Sequence, residues 1–495
     1  MNKDQKKRKK LRKKYAKYIP DVLYNEEDAY NNREMNVVSF LFVAIFAVMI
    51  IYLIYFKVAV APDIIDNPYN KRVDNQEQKV VRGDILANDG TVLATTKKDD
   101  NGAEYRHYPY NNMFSHVVGI KSEETGIEGL ADFELLSHSD DFMTQLWDDV
   151  TGKKMEGNSV VSTLDFNLQK TAWEALGNNK GAIVVMEPAT GNVLAMVSKP
   201  DFNPNESPTK YNEWLSFTSE DSVLLNRATS GLYAPGSTFK VITALEYVIE
   251  NAEYDAFSYN CQGTVTVDGG TTIPCNNMKA HGDENLKRAF AVSCNCAFSV
   301  IGTKLNRTSL SNLTDKLLFN KHLDIGIESA KSSFVLGENS SLSEAQETAI
   351  GQGNTMISPM HNLMITAAIA NNGVMMQPNF IREIRDCDGK VVDTIEAKVK
   401  SKIVEENYSK IIKEYMRGVV TEGTASAFRN VNYEVAGKTG TAQYGTQGLS
   451  HSWFTGFAPY NEPQIAVCVI LEGGYQGQSA QYVAKKVMER YFNGN

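Results

Sequence analysis

Val37–Phe56 reads VVSFLFVAIFAVMIIYLIYF, twenty residues without a charge. At about 1.5 Å of rise per residue a helix of that length spans about 30 Å, the thickness of a bilayer's hydrocarbon core. A helix buried in a soluble domain rarely stays apolar on every face for so long. Residues 36–56 therefore read as a transmembrane helix, with Tyr52 and Tyr55 near the far interface, where rings with polar tips are favoured. Ahead of it, residues 1–17 hold ten Lys/Arg against Asp4 alone, a charge of +9, and the positive-inside rule keeps such a cluster cytoplasmic. A cleaved signal peptide is the rival reading, because Ala59-Val60-Ala61 resembles a small-residue cleavage site. The apolar run exceeds the about 7–15 residues of a secretory core, and Pro62 follows the site directly, so a retained anchor is favoured. The tail, 1–35, is too short and too polar to fold. The remaining body is acidic, and the net charge of −9 argues against nucleic acid as a partner.

A chain of 495 residues exceeds what one hydrophobic core usually supports. Residues 57–157 are polar and rich in Asn, Asp and Tyr, with short strand-like pieces such as VRGDILANDGTVLA around an Asp89-Gly90 turn. From Ser159 the texture changes. VVSTL reads as a strand, DFNLQKTAWEAL as a helix, and GAIVVMEPATGNVLAMVS as a hairpin with Thr190-Gly191-Asn192 near its tip. A helix-rich middle follows, then the strands HSWFTGFAP and IAVCVILEG and a closing helix, SAQYVAKKVMERYF. Strands at both ends with helices between imply an antiparallel sheet built from the two ends, with an inserted helical subdomain. Of six cysteines, Cys261 and Cys275 bracket a hairpin-like segment and are left open to a disulfide, while Cys468 in IAVCVIL reads as a buried thiol. Cys and His at ligand spacing are not apparent, so neither a metal nor a cofactor is expected.

Acyl transfer by a serine needs a nucleophile, a base, a proton route to the leaving group and an oxyanion hole. None of the seven histidines has a G-x-S-x-G context. Lysine serves as the base when it is held beside the hydroxyl and partly desolvated. In YAPGSTFKVITALEYVIE, Ser237 opens an amphipathic helix and Lys240 follows at i+3 on the same face. S-x-x-K alone is weak: Ser207-Pro208-Thr209-Lys210 matches too, but lies in an Asn/Pro-rich stretch and reads as loop. S-x-N occurs at Ser293-Cys294-Asn295, a helix junction, and again at Ser258-Tyr259-Asn260 before Cys261. Lys438-Thr439-Gly440 occurs once, followed by Thr441, where a glycine lets backbone and substrate approach closely.

Each triplet is near chance, but S-x-x-K, S-x-N and K-T-G in that order across one domain form the set of penicillin-binding proteins and class A β-lactamases. The chain resembles the class B, monofunctional penicillin-binding proteins anchored by one helix. The likeness extends to Arg82-Gly83-Asp84-Ile85 through Gly90 to Leu93-Ala94, to Gly126-Ile127-Glu128-Gly129-Leu130, to Asn226-Arg227-Ala228, to Gly351-Gln352-Gly353 and to Trp453-Phe454-Thr455-Gly456-Phe457. It implies a mixed α/β serine transpeptidase/β-lactamase-like fold, with helices on both faces of an antiparallel sheet. One transmembrane helix and a small, mostly-β pedestal (57–157) would precede a transpeptidase domain (158–495).

By the same resemblance Ser237 would attack the penultimate D-alanine of a peptidoglycan stem peptide and Lys240 would take its proton. Ser293 would relay a proton to the departing D-alanine, and Asn295 would hold Lys240 and the substrate amide. Lys438 and Thr439 would serve the substrate's carboxylate, Gly440 would let the substrate approach, and the N–H groups of Ser237 and Thr441 would serve the oxyanion. β-Lactams would be covalent inhibitors and a membrane glycan polymerase a partner, with the catalytic domain extracellular or periplasmic. A D,D-carboxypeptidase or β-lactamase, and a membrane β-lactam sensor, are the competing readings. About 100 residues are too few for a second catalytic domain beside the pedestal. Arg82 and Glu128 read as structural salt-bridge or turn residues.

Overall fold

The computed structural model describes residues 28–56, 79–138, 154–218, 221–444, 449–473 and 479–494, with five lysines of the basic tail. The rest of that tail and the 57–78 connector, including Ala59-Val60-Ala61, lie outside the described residues. The chain divides into two compact units, Met1–Asp74 and Asn75–Asn495. The first contains α1, Asp28–Tyr55. Within it Val37–Tyr55 has a mean hydropathy of 3.0 and none of it is buried, so this helix is long and apolar enough to cross a membrane.

In the second unit, after a two-residue strand at Val80–Val81, come three short strands: β1 (Ile85–Leu86), β2 (Val92–Lys98) and β3 (Glu104–His107). Beside them Glu128 is fully buried between two arginines. Arg82 Nε donates to its Oε2 at 2.9 Å and Arg106 Nε to its Oε1 at 2.6 Å, while Arg82 also reaches Asp132 at 2.5 Å. Strand β4 (Ser159–Ser162) follows, and then α2 (Phe166–Leu176), which starts because the Asp165 side chain accepts from Leu168 N at 2.8 Å. Its Leu168, Ala172 and Leu176 form one buried stripe.

The hairpin expected from GAIVVMEPATGNVLAMVS is present as β5 (Gly181–Met186) and β6 (Val193–Lys199). The inserted helical part begins with α3 (Ser207–Leu215), then α4 (Lys240–Glu250). Four short strands follow: β7 (Ser258–Cys261), β8 (Thr264–Thr266), β9 (Thr272–Pro274) and β10 (Gly282–Asn285), pairing β8 with β9 and β10 with β7. Helices α5 (Leu286–Ala291) and α6 (Asn295–Lys304) come next and, after helices at Arg307–Lys316 and Leu342–Ala349, α7 (Pro359–Ala370). Strands β11 (Ile381–Arg385) and β12 (Val391–Thr394) precede α8 (Glu406–Thr421). The chain ends with β13 (Ala436–Tyr444), β14 (Leu449–Ala458), β15 (Ile465–Leu471) and α9 (Ala480–Asn493).

The main sheet runs β13-β14-β15-β5-β6, all antiparallel, so its centre joins the last strand of the chain to the first strand of that sheet in chain order. The expectation of a sheet made from both ends is met. Every residue of β5 and β15 is buried, as in strands covered on both faces. Helices α2 and α9 pack together on one face, and α7, buried all round, packs on the other. A second sheet, β12-β11-β4-β1-β2-β3, carries strands from before and after residue 158 in one hydrogen-bonded ladder.

Candidate active site

The main sheet leaves β13 at its edge, and Lys438-Thr439-Gly440-Thr441 lies along it. Against this edge sits a single 3₁₀ turn, Gly236–Phe239, that leads into α4 at Lys240. Ser237 is thus not on an α-helix. It is the second residue of a 3₁₀ turn, in which residues i and i+3 eclipse, and Ser237 and Lys240 still fall on one face. Two glycines permit the approach. Gly236 has φ +52°, and a Cβ there would stand 2.5 Å from Thr441 O. A Cβ on Gly440 would meet Thr238 Cγ2 and Trp453 Cβ at 3.0 Å. Gly236 N donates to Gly351 O at 2.8 Å, so the Gly351-Gln352-Gly353 loop backs the turn.

Ser237 is half-buried and its hydroxyl makes no hydrogen bond among the described residues. Lys240 is fully buried. Its Nζ donates to Asn295 Oδ1 at 2.7 Å, to Ser293 O at 2.8 Å and to Ser293 Oγ at 3.2 Å. Lys438, equally buried, donates from Nζ to the same Ser293 Oγ at 2.9 Å and to Thr439 O at 3.0 Å. Phe298 lies under the Lys240 amine (5.4 Å to its centroid) and Phe290 under that of Lys438 (5.7 Å). Burial pulls the Lys240 amine down to about 8, against the opposing pull of the Cys294, Cys275 and Cys296 thiols and Glu284. Burial, then the neighbouring Lys240 charge, holds Lys438 well below the usual lysine range. The result is a hydrogen-bonded chain, Lys438–Ser293–Lys240, ending one turn from an unbonded serine hydroxyl.

Ser293 reaches this position because α5 ends there. Ser293 N donates to Phe290 O at 3.1 Å and Cys294 N to Ala289 O at 2.9 Å, the paired bonds of a Schellman stop, with Ser293 in the left-handed conformation at φ 59°. Cys294 then caps α6, its Sγ accepting from Ala297 N at 3.4 Å. Asn295 is held from its other end, Nδ2 donating to Pro274 O at 2.9 Å.

The four polar groups expected to work together, Lys240, Ser293, Asn295 and Lys438, are therefore in one hydrogen-bond chain, with Thr441 exposed on β13. The competing copies lie elsewhere in the structure. Ser207-Pro208-Thr209-Lys210 is not loop as expected but the first turn of α3, where Pro208 is tolerated because that turn has no N–H partner to lose. Lys210 there pairs with Glu206 at 2.5 Å. Ser258-Tyr259-Asn260 is the body of β7, with Asn260 Nδ2 donating to Asp283 at 2.5 Å. Sequence reasoning missed Thr424, whose hydroxyl lies 2.5 Å from that of Thr439. It also missed a convergence of thiols. Cys261, Cys275, Cys294 and His281 cluster immediately beside Asn295, which corrects the reading that no Cys/His group stands at ligand spacing. Cys261 and Cys275 are free thiols in this structure.

Comparison with known proteins agrees with this geometry. Residues 181–489 match the penicillin binding protein transpeptidase domain, and residues 82–160 the penicillin binding protein A dimerisation domain. The peptidoglycan D,D-transpeptidase PbpA of Mycolicibacterium smegmatis is 30% identical over 441 residues, 84% of this chain and 88% of that one. The protein of that name from Mycobacterium tuberculosis is 29% identical over 481 residues, covering 91% of this chain and 95% of its own. Among solved structures, the imipenem acyl-enzyme of M. tuberculosis penicillin-binding protein A superposes with a TM-score of 0.76 at 28% identity, over 84% of this chain and 99% of that one. With the transpeptidase model spanning most of the outer body and a dimerisation-type domain before it, the chain belongs to the class B penicillin-binding proteins.

Proposed function

We propose that the protein is a peptidoglycan D,D-transpeptidase that cross-links stem peptides through an acyl-enzyme on Ser237. The observation that carries this reading is the buried Lys240 amine, held by Ser293 and Asn295 one turn from a free serine hydroxyl. An amine held near 8 by burial is neutral often enough to accept the Ser237 proton as Oγ attacks the carbonyl of the penultimate D-alanine. The tetrahedral oxyanion forms beside the N–H groups of Ser237 and Thr441, each such donor being worth about 3–4 kcal/mol. Breaking the C–N bond requires a proton on the departing D-alanine, and Ser293 Oγ, bonded to both lysines, delivers it. The amine of a second stem peptide then attacks the ester and gives up a proton to Lys240, which passes it to the departing Ser237 Oγ. Lys438 is buried behind Ser293, so its part is to polarise that hydroxyl, while the terminal carboxylate is met by Thr439 and Thr441 on the open edge of β13. β-Lactams acylate the same serine.

In the same reading the 36–56 helix anchors the chain with its basic tail, 1–35, in the cytoplasm. Residues 57–157 form the pedestal and 158–495 the catalytic domain, outside the membrane, and a glycan polymerase in the membrane makes the strands that are joined. Labelled penicillin is expected to attach covalently to the wild type and not to Ser237→Ala, and labelling that survives the substitution overturns the site. Given a stem-peptide donor and an amine acceptor, a cross-linked product supports transpeptidation. Free acid alone makes the protein a hydrolase of the same fold.

A further inference from the structure

Where α8 ends and the chain runs into β13 there is a cavity of about 370 Å³, within the size range of small-molecule sites. Val420, Phe428 and Val431 give it an apolar lining, and Phe428 is fixed by stacking on Phe454 with centroids 4.8 Å apart. Arg417, Arg429 and Tyr433 line it as well.

These three polar residues have donors to spare. Arg417 donates from Nη1 to Val435 O at 3.0 Å and from Nη2 to Glu434 Oε1 at 3.3 Å, which leaves its Nε without an acceptor among the described residues. Arg429 donates from Nε to Val420 O at 3.2 Å and from Nη2 to Gly423 O at 2.8 Å, which leaves its Nη1 in the same position. The Tyr433 hydroxyl is buried and has no partner among the described residues, while its ring stacks on Phe492 at 4.5 Å. Burial, then the charge of Glu489, pushes that hydroxyl up, so it stays protonated and a donor. The nearby acids are already engaged. Glu434 accepts from Arg417 through Oε1 and from Asn461 Nδ2 through Oε2 at 3.0 Å, and Glu489 pairs with Lys485 at 3.6 Å.

We propose that this cavity binds a small organic carboxylate, its oxygens on Arg417 and Arg429 and its apolar part on Val420, Phe428 and Val431, and that the bound anion steadies the turn that carries Thr424. Planar guanidinium groups match a carboxylate's two oxygens, and a carboxylate beside Tyr433 supplies the acceptor that its buried hydroxyl lacks. An inorganic anion would leave the apolar lining unused.

The link to the proposed active site is short. Arg429 holds Gly423 O, and the next residue, Thr424, has its hydroxyl 2.5 Å from that of Thr439. Arg417 holds Val435 O, three residues before Lys438. A ligand that immobilises the two guanidinium groups therefore holds Thr424 against Thr439 and pre-orders the hydroxyl that meets the substrate. This coupling rests on the role proposed above for Thr439, but binding in the cavity does not.

The test uses the full chain in detergent, with Ser237 first blocked by penicillin so that the catalytic cleft is occupied. N-acetyl-D-alanine stands for a peptide C-terminus and D-alanine for a free amino acid, and N-acetyl-D-alaninamide is the uncharged control. Calorimetry is expected to show saturable binding of one of the two carboxylates tighter than about 10 mM and none of the amide. Whichever acid binds more tightly identifies the source. Arg429→Gln is expected to weaken binding at least about tenfold and Tyr433→Phe at least about threefold. Tyr433→Phe breaks no hydrogen bond of the free protein, so its thermal midpoint is expected to stay the same or rise, and it decides the matter should Arg429→Gln fail to fold. No carboxylate binding tighter than about 10 mM, equal binding of the amide, or binding untouched by Tyr433→Phe overturns the site. On the unblocked chain, competition in the catalytic cleft slows wild type and Tyr433→Phe alike. Addition of the acid is therefore expected to leave the wild type's penicillin acylation rate, relative to its rate without the acid, at least about twofold above that of Tyr433→Phe. Equal ratios overturn the coupling.

Discussion

Ser293 occupies the position of a Schellman stop where glycine is the usual residue, and it sits there at φ 59° with its hydroxyl between two lysines. A left-handed L-residue costs about 1–2 kcal/mol, so local preference has been set aside to aim one oxygen. A pair of variants separates the two effects. Ser293→Ala and Ser293→Gly both remove the hydroxyl, and penicillin acylation is expected to fall at least about a hundredfold in each. Only Gly relieves the backbone, so Ser293→Gly is expected to unfold in urea about 1 kcal/mol later than Ser293→Ala. Equal stabilities would mean the strain is not there. Sequence alone finds Ser293 through its triplet but not its conformation, because a left-handed stop is announced by glycine and here there is none. Thr424 has no signal at all: it lies fifteen positions before Thr439 and meets it only because α8 and β13 pack together.

At the scale of the element, α4 carries Lys240 at its start and a second buried charge further along. Glu246 is 3% exposed, and burial followed by the nearby Glu250 charge pushes its carboxyl up to about 7, with Lys316 pulling the other way. A carboxyl raised on folding binds its proton more tightly in the native state. Its stabilising contribution is therefore complete below the ordinary value near 4.5 and is lost as pH rises through about 7. Glu246→Gln is expected to leave stability unchanged at acid pH and to raise it by about 1 kcal/mol above neutrality, read as an upward shift of the thermal midpoint. A midpoint shift of the same size at both pH values would remove the titration from the account.

Elements were legible where their physics is local. The β5–β6 hairpin, α2 with its Asp165 cap and the fully apolar β15 all follow from pattern. The Cys/His cluster was not legible, because its members are separated by 13, 5 and 12 residues, unlike the paired short spacings of familiar zinc modules. Two strand pairs fold that spacing into one point. The first turn of α3 misled for the opposite reason: Asn and Pro suggested loop, whereas the burial of Trp214 beside Phe202 and Ile120 holds a helix there.

Over the whole molecule, the apolar run and the two ends of the main sheet were readable, but the second sheet was not, since β1 and β4 are short strands joined across a long stretch of sequence. That sheet makes residues before and after 158 hydrogen-bond neighbours, and Asn75–Asn495 is one compact unit. The Arg82–Glu128–Arg106 group is buried among the residues before 158, with the Glu128 side chain at 0% exposure and those of Arg82 and Arg106 at 3% and 5%. Replacing Glu128 by Gln leaves two buried guanidinium groups facing a neutral amide, a loss of about 3–5 kcal/mol. If the shared ladder couples the two segments, that loss is felt at Ser237, which touches none of these residues. Glu128→Gln is then expected to lower the thermal midpoint in a single transition and to shift the loss of penicillin labelling to the same lower temperature. Two separated transitions, with labelling lost at the wild-type temperature, would instead make the pedestal an independent folding unit, and the ladder through β1 and β4 a contact without cooperative weight.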